Sequence, residues 1–572
     1  MKYRWLLSEP RPLLTRALTS ELAVPPLLAE CLVNRGFTTA PAAAAFLRPK
    51  LRQLRDPELI PNLSAAVARL WRAREQGEPL VVFGDYDVDG VTATALLLEV
   101  FHALGWRADA YLPHRLDEGY GLTLDAVENC LQRFPVRLLL AVDCGSTASE
   151  TISWLNRRGV EVIVLDHHQI SDPPPAAVAL VNPQLAGEAE PGFRELCSAG
   201  LAFKLAHALV KRGRQLGLPA AEAFDVRPLL DYAALGTIAD LVPLIGENRI
   251  LAAAGLERLN ALHRPGLRAL KEVAAVPGRI GPFEVAFQLA PRLNAVGRLE
   301  HAAQALELLR APDLATAEPL AAALDAQNAE RQAIERGIAE EVIGAVRARF
   351  DPQNDFVIVE GQLLWHVGVV GIVASRVLSE FYRPTIILGG DGHEWRGSGR
   401  SIEGFDLAAA LRECSDLLIR HGGHAMAAGL TVAPDKVPVL RARLNDIARR
   451  RLRPEQLVPP LRLDAECGVT DLTLELLDQL ALLQPTGQGN PPVHVVVRNV
   501  RHRREPMKLG REHQHAKFWV TDGDSTVEVL WWTGGDKPWP TGVFDVAGIP
   551  QVNEFDGRRT VQLRLLDWQP AG

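Results

Sequence analysis

Apolar segments of strand length alternate with helical segments between residues 80 and 183. The strand-like segments span residues 80–87, 107–113, 137–143, 160–166 and 177–183. The helical segments between them span residues 91–104, 124–133 and 148–158. Nearly continuous apolar strands that alternate with helices are typical of a parallel sheet covered on both faces. This part of the chain is therefore predicted to be an α/β domain with a parallel sheet.

The pattern changes after residue 199, where the chain becomes mostly helical as far as residue 311. Residues 316–350 are rich in Ala, Glu and Arg, which predicts one long helix. Its single proline, Pro319, would fall in the first turn, where a missing N–H is harmless. A second α/β region is expected from residue 355 to 451. From residue 461, five short β-patterned runs separated by Gly, Asp and Pro turns predict a small barrel of the oligonucleotide-binding (OB) type.

These changes in pattern divide the chain into five expected segments. They are an N-terminal segment (1–62), an α/β catalytic domain (63–312), a connecting helix (313–350), a second α/β domain (351–455) and an OB-type barrel (456–572). The fold class expected from this order is α/β, with two sheet domains followed by an all-β domain.

Composition narrows the class of protein only slightly. The six cysteines include no Cys-x-x-Cys pair, which argues against a zinc ribbon and against a secreted disulfide framework. The first residues lack the continuous apolar core of a signal peptide, and no stretch has the length of a membrane span. We therefore expect a cytoplasmic protein without a membrane partner. The net charge of −7 does not suggest nucleic-acid binding, but residues 498–517 are strongly basic.

Three aspartates at alternate positions, Asp85, Asp87 and Asp89, follow the first predicted strand and precede Gly90. This spacing suits a hard divalent cation and also begins the EF-hand calcium loop. An EF-hand needs a glutamate at the twelfth position, where this chain has Leu96, and it needs a helix before the loop. The EF-hand is therefore rejected, which leaves a metal-binding loop or a polar turn with solvated acids.

The other predicted strands end in similar residues. Asp143 ends one strand, Asp166-His167-His168 ends the next, and Asp240 follows in the sequence GTIADLVPL. Because parallel strands bring their carboxyl ends to one edge of the sheet, these side chains should lie together. Carboxylates mixed with imidazole favour Mn²⁺ or Mg²⁺ over a thiolate-type site. Two such ions suit phosphoryl hydrolysis, which indicates a metal-dependent phosphoesterase.

These motifs, in this order and spacing, resemble the DHH phosphoesterase superfamily and, within it, the RecJ family of bacterial exonucleases that degrade single-stranded DNA from the 5′ end. The resemblance covers most of the chain. It rests on GDYDVDG (84–90), GYGL (119–122), VDCG (142–145), LDHH (165–168), GTIADLVPL (236–244), PRLNAVGR (291–298), GVVGIVASR (368–376), GSGRS (397–401) and HGGHAMAAG (421–429). One departure is Thr486, where the family usually has an aromatic residue after the proline.

The resemblance implies a two-metal catalytic centre. One ion would be held chiefly by Asp87 and the other by Asp89, His167 and Asp240, with Asp143 bridging the two. Asp85 is a further candidate ligand, or a group that supports the ligands. His168 is expected to contact the scissile phosphate, and Asp166 to orient a histidine. The catalytic set implied in this way is Asp87, Asp89, Asp143, His167, His168 and Asp240.

The resemblance also implies residues that bind phosphate or DNA. Glycine-rich turns expose backbone N–H groups as anion sites, and arginine presents a fork that matches phosphate. Outside the barrel the candidates are Arg115, Asn294, Arg298, Ser398, Arg400 and His424. In the barrel they are Arg501, Arg503 and Lys508. Trp531, Trp532 and Trp539 are candidates for stacking on bases, although one of Trp531 and Trp532 is expected in the core.

The expected substrate is single-stranded DNA with a 5′ end, in DNA repair and recombination, and the expected protein partners are a single-strand-binding protein and a helicase. Two alternatives remain. One is a nanoRNase or mononucleotide phosphatase of the same superfamily, for which a barrel distant from the metals would have no use. The other is a non-catalytic DNA-replication scaffold of the same fold, which the complete Asp and His set argues against.

Overall fold

The computed structural model describes residues 3–114, 117–185, 193–299, 302–390 and 393–571, with only the backbone described at residues 296, 298 and 299. The chain forms two compact units. The first unit contains Pro10–Asn328 and Leu474–Val493, and the second contains Met1–Glu9, Ala329–Thr473 and His494–Gly572. Within the described ranges, no helix combines the length and apolar character that crossing a membrane requires.

The first residues contribute to both units. Strand β1 (Arg4–Leu7) belongs to the second unit and pairs in parallel with Pro460–Leu463. The helices that follow belong to the first unit; they are α1 (Pro12–Leu22), α2 (Pro26–Asn34), α3 (Ala40–Leu47) and α4 (Leu63–Gln76). Helices α1 to α3 carry proline in their first turn, where the ring fixes a helical φ without removing a needed donor.

The first unit is built on a five-stranded sheet. Its strands are β2 (Leu80–Gly84), β3 (Ala108–Tyr111), β4 (Leu138–Val142), β5 (Glu161–Leu165) and β6 (Ala179–Val181). All are parallel, in the order β3-β2-β4-β5-β6. The intervening helices are α5 (Val88–Leu104), α6 (Leu124–Arg133) and α7 (Ser149–Arg157). The predicted parallel α/β sheet is confirmed. The strand order changes direction between β2 and β4, because β3 lies on one side of β2 and the later strands lie on the other.

Helix α5 begins three residues earlier than the apolar pattern predicts. The Asp87 carboxylate accepts hydrogen bonds from the backbone N–H groups of Asp89 and Gly90, at 2.9 and 3.1 Å. A side-chain cap of this kind satisfies the free donors of the first turn and allows the helix to start at Val88. Gly90 is required here, because a Cβ at this position would lie 2.6 Å from the carbonyl oxygen of Asp85.

Helices cover the rest of the first unit, as the sequence predicts for residues 199–311. They are α8 (Ser198–Gln215), α9 (Pro219–Ala223), α10 (Leu230–Ala239), α11 (Gly246–Ala261), α12 (Pro265–Val273), α13 (Pro282–Glu284), α14 (Ala290–Leu299) and α15 (Ala303–Leu309). A short π-helical segment, Val285–Leu289, joins α13 to α14. One apolar core, which includes Leu97, Phe101 and Leu235, joins these helices to the sheet.

The long helix α16 runs from Leu314 to Arg347. It starts two residues before the predicted position because the Asp313 carboxylate accepts a hydrogen bond from the N–H of Thr316, at 2.8 Å. The expectation that Pro319 lies in the first turn is therefore wrong. Pro319 is the sixth helical residue, so the carbonyl of Ala315 lacks its helical donor.

The second unit contains a mixed sheet and a barrel. The mixed sheet contains β7 (Ile358–Leu363), β8 (Thr385–Gly390), β9 (Trp395–Arg400), β10 (Leu418–Gly423) and β11 (Ala427–Val432), in the order β10-β11-β9-β8-β7. Its helices are α17 (Val370–Phe381), α18 (Leu407–Arg412) and α19 (Val437–Arg451). This confirms the second α/β region.

Three of the barrel strands are longer than the sequence pattern predicts. After β12 (Pro460–Leu463) come β13 (Ala465–Glu466), helix α20 (Leu474–Leu480) of the first unit, β14 (Val495–Leu509), β15 (His515–Thr521), β16 (Thr526–Trp531), β17 (Phe544–Phe555) and β18 (Arg558–Pro570). The order is β13-β14-β15-β16-β18-β17, and pairing of β14 with β17 closes the barrel. Asp556 and Gly557, both with positive φ, turn β17 into β18 as in a tight hairpin. The predicted OB-type barrel is confirmed.

Candidate active site

The carboxyl ends of three neighbouring strands place acidic residues side by side. The backbone N–H groups of Asp85, Asp143 and Asp166 bond to the last carbonyls of the next strand along the sheet, at 3.1, 3.0 and 3.1 Å. The three aspartates thus stand at one sheet edge, at the position where an open α/β sheet holds its ligand. Asp143 has a left-handed backbone, with φ of 64°. This conformation is unusual for residues other than glycine, and such residues are concentrated at functional sites.

His167 faces this acidic edge. Its Nε2 atom lies 3.5 Å from a carboxylate oxygen of Asp143, 3.5 Å from one of Asp240 and 3.8 Å from one of Asp89. The atom is buried and has no hydrogen-bond partner among the described residues. A buried nitrogen surrounded by three carboxylates, all slightly beyond hydrogen-bond range, fits a position that a cation would occupy.

The candidate ligands form three groups in which every donor atom lies within 4.8 Å of the others. The groups are Asp85-Asp87-Asp143, Asp89-His167-Asp240 and Asp143-His167-His168. The structure thus brings together all of the residues predicted as ligands, and Asp143 belongs to two of the groups, one with Asp85 and Asp87 and one with the two histidines. Asp85 stands beside Asp87 in the first group. Carboxylate oxygens together with imidazole nitrogens are the donor set of hard or borderline cations such as Mn²⁺ and Mg²⁺.

The electrostatics of the acidic cluster also favour cations. Burial, and then the charges of Asp87 and Asp89, raise the pKa of Asp143 well above its usual value. Burial, with Asp89 and Asp87, raises the pKa of Asp240 to about 9. Burial lowers the pKa of His167, which keeps its imidazole neutral and able to bind metal. Bound divalent ions would offset the repulsion among these carboxylates.

His168 differs from His167 in its surroundings. Its Nδ1 lies 2.7 Å from Asp166, and its Nε2 lies 3.2 Å from the hydroxyl of Tyr120. Burial disfavours the charged imidazole, but the bond and charge of Asp166 outweigh it and raise the pKa of His168 to about 9. The Asp166 carboxylate is itself opposed by burial, yet His168 and the N–H of Ser146 hold its pKa below the usual value. The raised pKa favours the charged imidazole, which is suited to contact a phosphate.

Two supporting residues were missed by the sequence reasoning. The start of helix α8 holds Asp89, whose carboxylate accepts from the N–H groups of Ser198 and Ala199 at 2.7 and 2.8 Å. The Ser198 hydroxyl donates to Asp143 at 2.9 Å. A helix N-terminus stabilises an anion, and the small residues Ser198-Ala199-Gly200 were the available signal. The second residue that the sequence reasoning missed is Tyr120, which lies within the GYGL motif but was not singled out.

The predicted phosphate-binding residues of the first unit fall into two cases. Asn294 lies at the segment that carries Asp85, Asp87 and Asp89, called the metal loop below, where its side-chain oxygen accepts from the N–H of Val88 at 3.0 Å. In the same helix a Cβ on Gly297 would lie 2.8 Å from the carbonyl oxygen of Tyr86, so α14 packs directly on this loop. Arg115 and the side chain of Arg298 lie outside the described residues.

In the second unit, Arg400 and Ser398 lie together at the start of helix α17. The guanidinium of Arg400 donates to the Ser398 hydroxyl at 2.8 Å and to the Gly399 carbonyl at 2.9 Å. A Cβ added to Gly371, in the first turn of α17, would lie 3.1 Å from Nη2 of Arg400. Among the described residues Arg400 has no carboxylate partner, and burial lowers its pKa. His424 is exposed in the turn between β10 and β11, strands of the same sheet.

The basic residues of the barrel are not equivalent. Arg501 and Arg503 are exposed on β14. Lys508, by contrast, is 2.9 Å from Asp536, so its charge is already paired. Of the tryptophans expected to divide between surface and core, Trp532 is half exposed and Trp531 is partly buried.

Comparison with known proteins supports the family that the sequence motifs indicate. Three family models match: the DHH family N-terminal domain over residues 79–237, the DHHA1 domain over 354–450 and the RecJ OB domain over 463–567.

The relatives match over nearly the whole chain. The single-stranded-DNA-specific exonuclease RecJ of Bacillus subtilis strain 168 is 39% identical over 574 residues, which is 99% of this chain and 71% of the relative. The crystal structure of Thermus thermophilus RecJ with Mn²⁺ matches with a TM-score of 0.85 and 34% identity, over 100% of this chain and 80% of that one. The structure of that protein with Mg²⁺ gives a TM-score of 0.79 and 32% identity, over 100% and 79%. The chain therefore belongs to the RecJ family of single-stranded-DNA-specific exonucleases.

Proposed function

We propose that this chain hydrolyses single-stranded DNA from the 5′ end with two divalent metal ions, Mn²⁺ or Mg²⁺. The observation that carries the proposal is the position of Asp143, which forms one ligand group with Asp85 and Asp87 and lies 3.5 Å from Nε2 of His167, a member of the Asp89-His167-Asp240 group. Asp85, Asp87 and Asp143 would hold one ion, and Asp89, His167 and Asp240, with Asp143, the other. When bound, the ions activate water and neutralise charge on the phosphate.

The residues around the ions have separate tasks. Helix α8 holds Asp89 in place through Ser198 and Ala199, and Asn294 holds the metal loop through Val88. His168, kept positive by Asp166, stabilises the charge that develops on the scissile phosphate. Tyr120 bonds to the other ring nitrogen and fixes the ring.

Hydrolysis at the first linkage breaks the bond between phosphorus and the 3′ oxygen of the terminal nucleotide. The oxygen of water is transferred to phosphorus, and the departing 3′ oxygen takes up a proton. The remaining strand then carries a new 5′ phosphate. We infer that Arg400, Ser398 and the start of α17 bind that terminal phosphate. Two features support this: the Arg400 guanidinium has no carboxylate partner among the described residues, and it lies beside the N-terminus of α17. Each cycle therefore regenerates the group that the enzyme recognises.

The barrel binds the strand beyond the cleaved end. Exposed Arg501 and Arg503 supply charge along β14, and the half-exposed Trp532 supplies a face for a base. A nanoRNase or mononucleotide phosphatase would not need this surface, and a non-catalytic scaffold would not need the complete ligand set.

Partners and location follow from the substrate. A helicase would supply single strands from duplex DNA, and a single-strand-binding protein would be met on the same strand, so we infer that both act together with this enzyme. We place the protein in the cytoplasm, where chromosomal DNA is accessible in bacteria. Its six buried cysteines, which form no disulfide with one another, fit that compartment.

Digestion of strands labelled at one end tests the proposal. The enzyme is incubated with Mn²⁺ or Mg²⁺ and a single strand labelled at either the 5′ or the 3′ end, with a duplex as control. We expect early release of the 5′ label as mononucleotide, slow shortening of the 3′-labelled strand and little attack on the duplex. Early loss of the 3′ label, or equal attack on duplex, contradicts the proposal.

A further inference from the structure

An apolar pocket of about 520 Å³ opens on the first unit beside the loop that follows Asp240. Leu241, Phe283 and Phe287 supply apolar surface to it, and Gln484 and Gln488 lie among its polar lining residues. The three apolar side chains are 58%, 59% and 64% exposed. Large apolar side chains that are exposed together mark a binding surface. None of these residues has a part in the metal centre described above.

The two phenylalanines form a pair on an unusual helix. Phe283 lies in α13 and Phe287 in the π-helical segment, with ring centroids 5.0 Å apart and planes inclined by 36°. Short π-helical turns are rare and often occur at functional sites. The same helical run continues into α14, whose Asn294 binds the metal loop. The aromatic pair is thus connected to the catalytic centre by one continuous helical segment.

The part of the pocket wall formed by Gln484 and Gln488 is held firmly. The N–H of Leu244 donates to the carbonyl of Gln488 at 2.7 Å. The buried guanidinium of Arg249 donates to the carbonyls of Gln484 at 2.8 Å and Pro485 at 3.2 Å. Leu241 has a left-handed φ of 58°, which turns the chain immediately after Asp240. The amide side chains therefore stand on a fixed backbone beside the loop that follows Asp240.

The chemistry of the lining selects the occupant. Glu284 is the charged residue among those that line the pocket, and its carboxylate accepts from the N–H of Gly281 at 2.8 Å. With no cation among the described lining residues, a phosphate or an acidic peptide would find no partner there. A flat, uncharged nucleobase finds aromatic faces for stacking and amides that can donate to or accept from its edge. A pocket of this volume also has room for a ligand of that size.

We propose that this pocket binds one unpaired base of the strand being degraded, stacked on Phe283 and Phe287 with its edge toward Gln484 and Gln488. The inference rests on the proposed function and adds a base-binding subsite to it. A base within a duplex is stacked and paired, so it cannot enter the pocket. The subsite therefore contributes to the preference for single strands.

Abasic scanning tests this subsite. A set of 5′-phosphorylated strands carries one abasic site at successive positions from the 5′ end, and the rate of the first cleavage is measured with Mn²⁺. In the wild type, we expect one position at which the missing base lowers the rate, on the order of ten- to a hundredfold. Phe283→Ala/Phe287→Ala should show a similar loss on the intact strand and no further loss at that position.

Conservative variants separate stacking from folding. Phe283→Tyr/Phe287→Tyr should keep the wild-type profile, whereas Phe283→Leu/Phe287→Leu should lose the position effect while it keeps an apolar surface. The matched control is Leu59→Ala/Leu216→Ala, which removes two exposed apolar side chains that do not line the pocket and should leave the profile unchanged.

Each outcome is decisive. A flat abasic scan in an active wild-type enzyme overturns the subsite but leaves the proposed function standing. The same conclusion follows if the loss in rate caused by the abasic site and the loss caused by the Phe283 and Phe287 variants multiply when the two changes are combined. Unchanged cleavage by the alanine variant points to a peptide or a second copy as the occupant and likewise overturns it. A wild-type chain that degrades no single strand overturns the proposed function, and this subsite with it.

Discussion

The Arg400 guanidinium offers the sharpest test of how the enzyme recognises a strand end. It lies at the start of α17, bonds to Ser398 and Gly399, and has no carboxylate partner among the described residues. Arg400→Ala would remove a cation without leaving a buried anion unpaired. The second unit should therefore keep its fold, and the thermal midpoint should stay close to that of the wild type.

The size of the effect follows from the bond that is lost. A hydrogen bond to a charged group contributes about 1.5–3 kcal/mol. Removing it should lower kcat/KM for a 5′-phosphorylated strand roughly ten- to a hundredfold. A 5′-hydroxyl strand lacks the phosphate dianion, so kcat/KM of Arg400→Ala for that strand should fall only a few-fold. Arg400→Lys keeps the charge but loses the planar fork, and an intermediate loss is expected.

The assay compares one strand in its 5′-phosphorylated and 5′-hydroxyl forms. First-cleavage kcat/KM is measured for the wild type, Arg400→Ala and Arg400→Lys. Arg412→Ala, which removes an exposed arginine of the same unit, is the control and should leave both values unchanged. Equal losses of the Arg400 variants on the two substrates would refute a role in phosphate recognition.

Three further predictions concern other parts of the chain. Because burial raises the pKa of Asp240 from 3.8 to about 9, the metal-free protein should lose stability as the pH rises between these values. Thermal unfolding in EDTA should therefore show Asp240→Asn to be more stable than the wild type at high pH. Identical profiles of thermal midpoint against pH for the two proteins would contradict this. Arg249→Ala should cost at least ~3 kcal/mol in urea unfolding, since several buried carbonyls lose their donor; wild-type stability would contradict that role. Arg501→Ala and Arg503→Ala should each reduce the log–log salt slope of strand binding by about 0.7, while Lys508→Ala, already paired with Asp536, should change it less; equal changes for all three would contradict this ranking.

Point variants are the appropriate test of the barrel because of how the chain is connected. The sequence pattern suggests that the chain can be cut near residue 459, where the composition changes. Residues 474–493, however, belong to the first unit, where Arg249 and Arg35 bind them through Gln484 and Pro491. A cut there would remove this segment and also the strand that pairs with β1. Loss of activity after such a cut would not distinguish the barrel from the fold.

The sequence predicts the elements of the catalytic centre well because local burial determines them. Strands β2, β4 and β5 are apolar on both faces, so their ends, and the acids that follow, can be read from the chain. Contacts between distant residues cannot be read in this way. Asn294 is separated by 206 positions from Val88, and Ser198 by 109 from Asp89. Neither partner shows a pattern that indicates the other.

Charge pairing is a second limit of sequence reasoning. Residues 498–517 look uniformly basic, yet Lys508 is paired with Asp536, which lies in a loop well outside that segment. The helix starts give a third case. Capping by Asp87 and Asp313 adds residues before the apolar pattern begins, so α5 and α16 start earlier than hydrophobic periodicity predicts. Side-chain contacts, rather than propensity, determine these details.

The first-cleavage rate of Asp143→Asn tests whether Asp143 serves two metal ions at the carboxyl edge of the sheet. Asparagine tolerates the left-handed backbone at this position, so the fold should persist, and unfolding in EDTA serves as the check. We expect cleavage at saturating Mn²⁺ to fall on the order of a thousandfold or more, since a shared ligand would contribute several kcal/mol of transition-state stabilisation. A folded Asp143→Asn protein with near-normal Mn²⁺-dependent cleavage would contradict it.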